Sequence, residues 1–425
     1  MSFYKSKNRS KNYINIVMKK IAIVGGGAAG FFAAIRAAEL ASEQKMPVEI
    51  KIFESGKEFL RKVKISGGGR CNVTHHCFDV DQFCQNYPRG AALLRVAMMR
   101  FQAKDTVQWF TKRGVPLVAE ADGRMFPKTN RSSTVIDCLM KAAQDAGVIC
   151  LLEHAVVQID RADMFTLHFR HGEIYQADVV MLATGSTEKG YALAQSLGHS
   201  ITERAPSLFS FKIDDPLLAG LAGTSFSNVL LLLQVKKKFD SAGAMLITHW
   251  GLSGPAILKL SAWAAREIQQ QGDACELTVN WLGNKREDEV FRLFEDHHKN
   301  RPNSPFHNSF SRYITKRFWS QLLKVFDISE QQKWGQVPVA SLKKLAQVLC
   351  ATRLHVHGKS RYKDEFVECG GVDLKEIDEH TMQSKLCPGL FFAGELLDVD
   401  GITGGFNFQN AWTGGWIAGS SFLAL

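Results

Sequence analysis

Three glycines at the spacing G-x-G-x-x-G, Gly25, Gly27 and Gly30, follow the apolar run Ile21-Ala22-Ile23-Val24, and an acid, Glu54, ends the next apolar run, Val48 to Phe53. Residues of these types in this order suit one chemistry. Backbone N–H groups at a helix start cradle a pyrophosphate, and the acid accepts hydrogen bonds from ribose hydroxyls while repelling a 2′-phosphate. Gly25 permits a sharp exit from the strand, Gly27 removes a side chain that would stand where phosphates lie, and Gly30 lets the next helix pack close. Ala28 and Ala29 open that helix, on whose positive end the phosphates sit. The sequence predicts a dinucleotide site.

A second element of this type lies at Gly389 to Gly401, where Leu390-Phe391-Phe392-Ala393 leads into Gly394, Glu395 and Asp398. Gly404-Gly405-Phe406-Asn407 then opens another helix. In flavin folds with two such elements, the second acid holds the ribitol hydroxyls and the helix N-terminus faces the pyrimidine edge of the isoalloxazine, where a reduced ring places negative charge. FAD is therefore predicted rather than NAD. No second G-x-G-x-x-G is present, so NAD(P)H is expected only as a transient reductant.

Between these elements, Ser66-Gly67-Gly68-Gly69-Arg70-Cys71-Asn72 sets backbone N–H groups beside a fixed cation, an arrangement suited to a flavin pyrophosphate or ring edge. The candidates here are Arg61, Ser66, Gly67, Gly69, Arg70, Cys71 and Asn72. Thr184 and Gly185 join them from the turn after Asp178 to Ala183. Cys71 is a candidate proton donor near the flavin or a plain buried thiol. His249, in Thr248-His249-Trp250-Gly251, is a candidate to hydrogen-bond substrate or flavin, with a structural role as the alternative.

The elements that must position these residues alternate at first. A strand at 20–24, a helix at 29–42 and a strand at 48–53 precede helical spacing at 93–113 and 134–147. Segments 149–159 and 164–169 come next, and Val179 to Leu182 reads as a buried parallel strand. Beyond residue 200 the pattern turns to strands, at 209–213, 225–235, 244–248 and 276–282, then to charged helical spacing at 287–297, 313–326 and 341–350. Strands at 353–357 and 365–370 return to the sheet. The expectation is an α/β chain with an FAD-binding part at 18–200 and 378–425, a β-barrel-like insertion at 201–283 and 351–377, and a helical subdomain at 284–350. Residues 1–17 carry no fold signal.

With 45% hydrophobic residues in 425, the chain can bury large cores. Its nine cysteines are odd in number and contain no C-x-x-C pair, which fits reduced thiols. Cys71 to Cys84, with His75, His76 and Cys77 between, matches no zinc spacing, so no metal is expected. No apolar run spans a bilayer and no signal peptide is visible, so a cytoplasmic protein without membrane contact is expected. The formal net charge of +10 suits phosphates or nucleic acid. Cations interleave with aromatics at Lys236-Lys237-Lys238, at 297–301, at 312–317 and at 353–363, the composition of a surface for looped or single-stranded RNA.

Five segments together, Ile21 to Gly30, Lys64 to Thr74, Gly123 to Pro127, Thr248 to Pro255 and Thr381 to Gly419, resemble in order the signatures of the YhiN/BaiN-type family of FAD-dependent oxidoreductases. The resemblance implies a glutathione-reductase-like FAD domain with an inserted β-barrel-like domain and a helical domain nested in that. Members of this family are described as aminoacetone oxidases, candidate bile-acid pathway reductases and a flavin enzyme that makes dihydrouridine in large-subunit ribosomal RNA. For this chain the resemblance implies an enzyme acting on ribosomal RNA, or alternatively on a small amine, enone or steroid. The loop after Thr184-Gly185 is shorter than in many relatives.

Overall fold

The computed structural model describes residues 18–307, 310, 313–360 and 367–424. The expected tail 1–17, Arg312 of one basic stretch, and 361–366, which hold the end of another and the start of an expected strand, lie outside the described residues.

Five parallel strands form the first sheet, in the order Leu390–Phe392, Val179–Leu182, Lys19–Val24, Val48–Phe53, Ile149–Leu151. Ile21, Ala22, Ile23, Val180 and Phe391 are fully buried, which is why these strands read as unbroken apolar runs. The strand order turns back between Lys19–Val24 and Val179–Leu182, leaving a crevice beyond their carboxyl ends, the usual ligand position in such sheets. Helices Ala28–Gln44 and Phe406–Ser421 pack backbone to backbone. A Cβ at Gly415 would stand 2.6 Å from the Ala29 carbonyl oxygen, and one at Gly419 2.3 Å from that of Ala33. An antiparallel trio, Val156–Arg161, Phe165–Phe169 and Ile174–Ala177, completes this half.

The second half has its own core around Phe211, Leu231, Leu277 and Trp281. Seven antiparallel strands run in the order Thr352–Val356, Cys275–Asn280, Ser225–Gln234, Lys238–Thr248, Gly251–Ser253, Ser210–Lys212, Gly358–Ser360. The two outermost strands are separated in sequence by His357 alone, so the sheet must curl until its edges approach. Helices Glu287–Asn300, Lys316–Val325 and Val339–Ala351 bury Phe294, Phe318, Trp319 and Leu345 in the same core.

Several elements differ from the sequence reading, among them these. The expected strand 244–248 begins at Lys238, because it pairs in a long hairpin with Ser225–Gln234. The helical spacing at 93–113 is two helices, Ala91–Met98 and Ala103–Lys112, the second started by a capping box between Gln102 and Asp105. Helix Pro255–Trp263 has no counterpart in the sequence expectation; its proline stands where a helix tolerates one, at the start.

The halves meet at a charged joint. Both Asp400 carboxylate oxygens take the Arg89 guanidinium, 2.5 Å each, and one also accepts from Ser207 at 3.0 Å. Arg89 donates onward to the Ala262 carbonyl at 2.7 Å. Burial raises the Asp400 carboxyl above its ordinary range, and the hydrogen bonds and charge of Arg89 pull against that rise.

Candidate dinucleotide site

A cavity of about 840 Å³ occupies the crevice. Its walls bring together Gly25, Gly27, Ala28, Ala29, Glu54, Arg61, Thr184, Gly185, Gly394, Glu395 and Asn407 from the sequence candidates. Lys62, Lys189, His154, Ala155 and Phe408 also line it and are missed by the sequence reading. No spacing rule marks them: 154 and 155 lie inside the expected segment 149–159, and Lys62 stands in no motif.

Each glycine of the first turn answers a different constraint. Gly25 has φ +116°, and a Cβ there would stand 2.4 Å from the Ala183 carbonyl oxygen. A Cβ on Gly30 would stand 2.1 Å from the Gly25 carbonyl oxygen, so any side chain would push the helix off the strand. A Cβ on Gly27 would meet nothing within 4 Å, and Gly27 lines the cavity. Gly27 is also the N-cap of Ala28–Gln44, which has no side-chain cap and no acid in its first turn. That leaves the positive helix end available to an anion.

Two of the three expected acids line the cavity and are held differently. Glu54 accepts from the Gly26 N–H at 2.8 Å on one oxygen and from the Gly56 N–H at 2.7 Å on the other. Its carboxylate is thereby fixed, with lone pairs left for hydroxyl donors. Glu395 is bound by the ammonium of Lys62, whose side chain is 54% exposed against 16% for the acid. The Asn407 amide is spent on the loop before its helix, accepting from the Gly401 N–H at 2.8 Å and donating to the Gly401 carbonyl at 2.9 Å. Helix Phe406–Ser421 likewise has no side-chain cap, and its first turns reach the cavity through Asn407, Phe408 and Ala411.

Other candidates lie elsewhere. Asp398, expected as a cofactor ligand, is bound within the joint: Arg266 binds its two oxygens at 3.0 and 2.9 Å, and the Gly370 N–H donates to it at 3.0 Å. The Phe406 ring is buried, stacked on His75 and edge-on to Phe83. Gly404 accepts from His75 Nδ1 at 3.0 Å, and Gly405 at φ +95° lies so near the Thr74 carbonyl that a Cβ would stand 2.5 Å away.

The 66–72 loop is off the cavity wall. Gly67, Gly68 and Gly69 all have positive φ, ending helix Arg61–Gly69 in a left-handed run. The Ser66 hydroxyl donates to the Val63 carbonyl at 2.9 Å. Arg70, expected as a fixed cation, pairs with Glu120 at 2.7 Å and lies 3.9 Å over the Phe126 ring, so protein partners hold it. Asn72 Oδ1 is buried without a hydrogen-bond partner, a polar atom still open to a ligand donor. Cys71 is the candidate proton donor of the sequence reading. It is fully buried, off the cavity wall, and burial pushes its thiol up to about 12, a poor acid at neutral pH. His249 stands exposed in the turn between two strands of the second half and does not line the cavity.

The residues fit a dinucleotide with two sugar-like ends: an open glycine beneath an uncapped helix start, an acid at either end, and cations between. Of the basic stretches, Lys236-Lys237-Lys238 is exposed at the tip of the long hairpin, and Arg353 is 79% exposed. The others are partly absorbed. Arg317 donates to the carbonyls of Gly220 and Ala222, His297 stacks on Trp334, and His298 bonds the Trp334 carbonyl at 2.8 Å. Among the described residues no helix is long and apolar enough to cross a membrane.

The family model of the HI0933-like protein Rossmann domain matches residues 19–421. The chain is 28% identical over 419 residues to a 3-dehydro-bile acid delta(4,6)-reductase of Clostridium scindens, covering 95% of this chain and 98% of that protein. It is equally 28% identical, over 421 residues, to a ribosomal RNA dihydrouridine synthase of Escherichia coli, covering 95% and 97%. Among solved structures, a 3-ketosteroid delta1-dehydrogenase of Sterolibacterium denitrificans shares the fold, with a TM-score of 0.50, 11% identity and coverage of 96% of this chain and all of that one.

Proposed function

Because the chain belongs to the HI0933-like Rossmann-domain family and is an FAD-dependent oxidoreductase, we propose that it reduces a uracil base of large-subunit ribosomal RNA to dihydrouridine, with NAD(P)H as reductant. The names of the two relatives describe related chemistry. Uracil carries a C5–C6 double bond conjugated to a carbonyl, and a Δ4,6 unsaturated 3-oxo steroid carries the same conjugation. Saturating such a bond takes hydride at the carbon remote from the carbonyl and a proton at the near one. FAD, when bound, supplies the two-electron carrier for that hydride.

The chain's own residues hold the cofactor. Backbone N–H groups at Gly27 to Ala29 and the helix end beneath them bind the diphosphate. Glu54, fixed by Gly26 and Gly56, accepts from the adenosine ribose, and Glu395 from the ribitol. The uncapped start of Phe406–Ser421 offsets negative charge at the pyrimidine edge.

The observation that carries RNA over a small substrate is the net charge of +10, with lysines exposed at the tip of a hairpin outside the cavity lining. An RNA base must leave its stack to be reduced, and backbone contacts spread over a second half would hold it there. Nucleoside mass spectrometry of ribosomal RNA from a deletion strain tests this, and loss of one dihydrouridine is expected. A second reading, reduction of a small enone, is favoured by the equal identity to the bile-acid enzyme. Unchanged ribosomal RNA together with turnover of a 3-oxo-Δ4,6 steroid would select it.

A further inference from the structure

We propose that Lys62 is a cofactor-positioning residue that changes partner on loading. It pairs with Glu395 across the crevice, then moves to the diphosphate of the entering dinucleotide and so releases Glu395 to the ribitol hydroxyls. The inference rests on the reading of this crevice as the FAD site.

Lys62 and Glu395 come from opposite walls. Lys62 is the second residue of helix Arg61–Gly69, and Glu395 lies in the turn Gly394–Leu396 that comes after strand Leu390–Phe392. Their contact passes over Gly185, at φ +66° in the turn that ends Val179–Leu182. A Cβ there would lie 3.8 Å from Lys62 Nζ and 4.0 Å from Glu395 Oε2. The pair therefore spans the point where the strand order turns back, which a dinucleotide must cross to reach from Glu54 to the start of Phe406–Ser421.

The arm that forms the bridge is free to swing. The Lys62 side chain is 54% exposed, and its other contact is a long one, 3.5 Å to the Ser186 hydroxyl. With its lysine more than half exposed, the pair is held by a single solvated ammonium, whereas the same ammonium against a diphosphate makes a charge-assisted hydrogen bond to a dianion. Glu54 has no such freedom, because two backbone amides hold it. A ligand can displace a lysine from Glu395, but it cannot displace the backbone from Glu54.

The test uses cofactor-stripped full-length protein titrated with ADP, which has the diphosphate but no ribitol, and separately with FAD. Lys62→Met should weaken both ligands about ten-fold, the loss expected for one charge-assisted hydrogen bond, and Lys62→Arg should restore most of it. Glu395→Gln should bind ADP about two- to five-fold more tightly than wild type, since no weak pair must break first, while binding FAD less tightly. ADP affinity unchanged in either Lys62→Met or Glu395→Gln overturns the exchange. Wild-type protein that binds neither ADP nor FAD overturns the flavin-site reading itself, and the exchange with it.

Discussion

Glu395 and Asp398 sit on one short stretch of chain, and the crevice and the joint use them oppositely. In the crevice, carboxylates line a cavity and leave lone pairs or a displaceable partner for a ligand. In the joint, Asp398 and Asp400 are bound two-oxygen to arginine, with backbone or hydroxyl donors added, and Asp400 is fully buried. Acid-to-acid resemblance in sequence thus separates into two physical classes, carboxylates that await a partner and carboxylates that already have every partner they need.

The joint should give the largest effect. Arg89→Met leaves Asp400 buried without its cation and should cost about 3–5 kcal/mol of stability in urea unfolding, while Arg89→Met with Asp400→Leu should recover much of it. An intact unfolding midpoint in the single variant would erase the contrast between joint and crevice. In the crevice, a Cβ at Gly27 would meet no protein atom within 4 Å, so Gly27→Val should cost the cofactor-free protein little beyond the loss of a glycine N-cap. It should still weaken FAD binding by about 3 kcal/mol or more, roughly a hundred-fold, by filling the diphosphate position. Loss of fold instead would make Gly27 a packing glycine like Gly30.

Glu54→Ala should weaken FAD by about 1.5–3 kcal/mol, the worth of a charge-assisted hydrogen bond, and slightly destabilise the free protein because Gly26 and Gly56 lose their acceptor. Flavin affinity by fluorescence titration checks it. Cys71 should resist iodoacetamide at pH 8 in the native protein while partly exposed Cys77 reacts, as peptide mass spectrometry would show. Rapid labelling of Cys71 would return it to the candidates for chemistry.

The smallest effect is a pH term on the strand that carries Glu54. Tyr175 donates to Glu49 at 2.7 Å and holds its carboxyl below the ordinary range. A depressed carboxyl stabilises the fold above its ordinary value of about 4.3 and loses that contribution as pH falls through its lowered one. Glu49→Gln should therefore shrink the acid-side loss of stability. Parallel thermal melts from pH 6 to 3 in both proteins would sharpen or remove this term.

The first turn is legible because each glycine answers a local backbone constraint that leaves a spacing in the sequence, and strands buried on both faces betray themselves as apolar runs. Lys62 is illegible because its meaning depends on Glu395, over three hundred positions away. Asp398 misleads for a related reason: nothing local says that Arg266 will arrive beside it. Arg70 reads as a fixed cation in sequence, but only the fold names what fixes it, Phe126 beneath and Glu120 beside. The curled sheet is readable as strands but not in its order, which long-range pairing decides.

The close packing of Ala28–Gln44 on Phe406–Ser421 has a kinetic consequence. Arg36 bonds Ser420 across 384 positions, and Leu390–Phe392 enters the parallel sheet only when that distant stretch arrives. Contacts of such sequence separation form late, because loop closure precedes their reward. The second half, with a separate core seeded by the local hairpin of Ser225–Gln234 and Lys238–Thr248, is placed to fold first and to bring the distant ends together. On this order of events the crevice is the last part of the molecule to exist, and refolding monitored by regain of flavin binding should lag behind refolding monitored by the tryptophans of the second half.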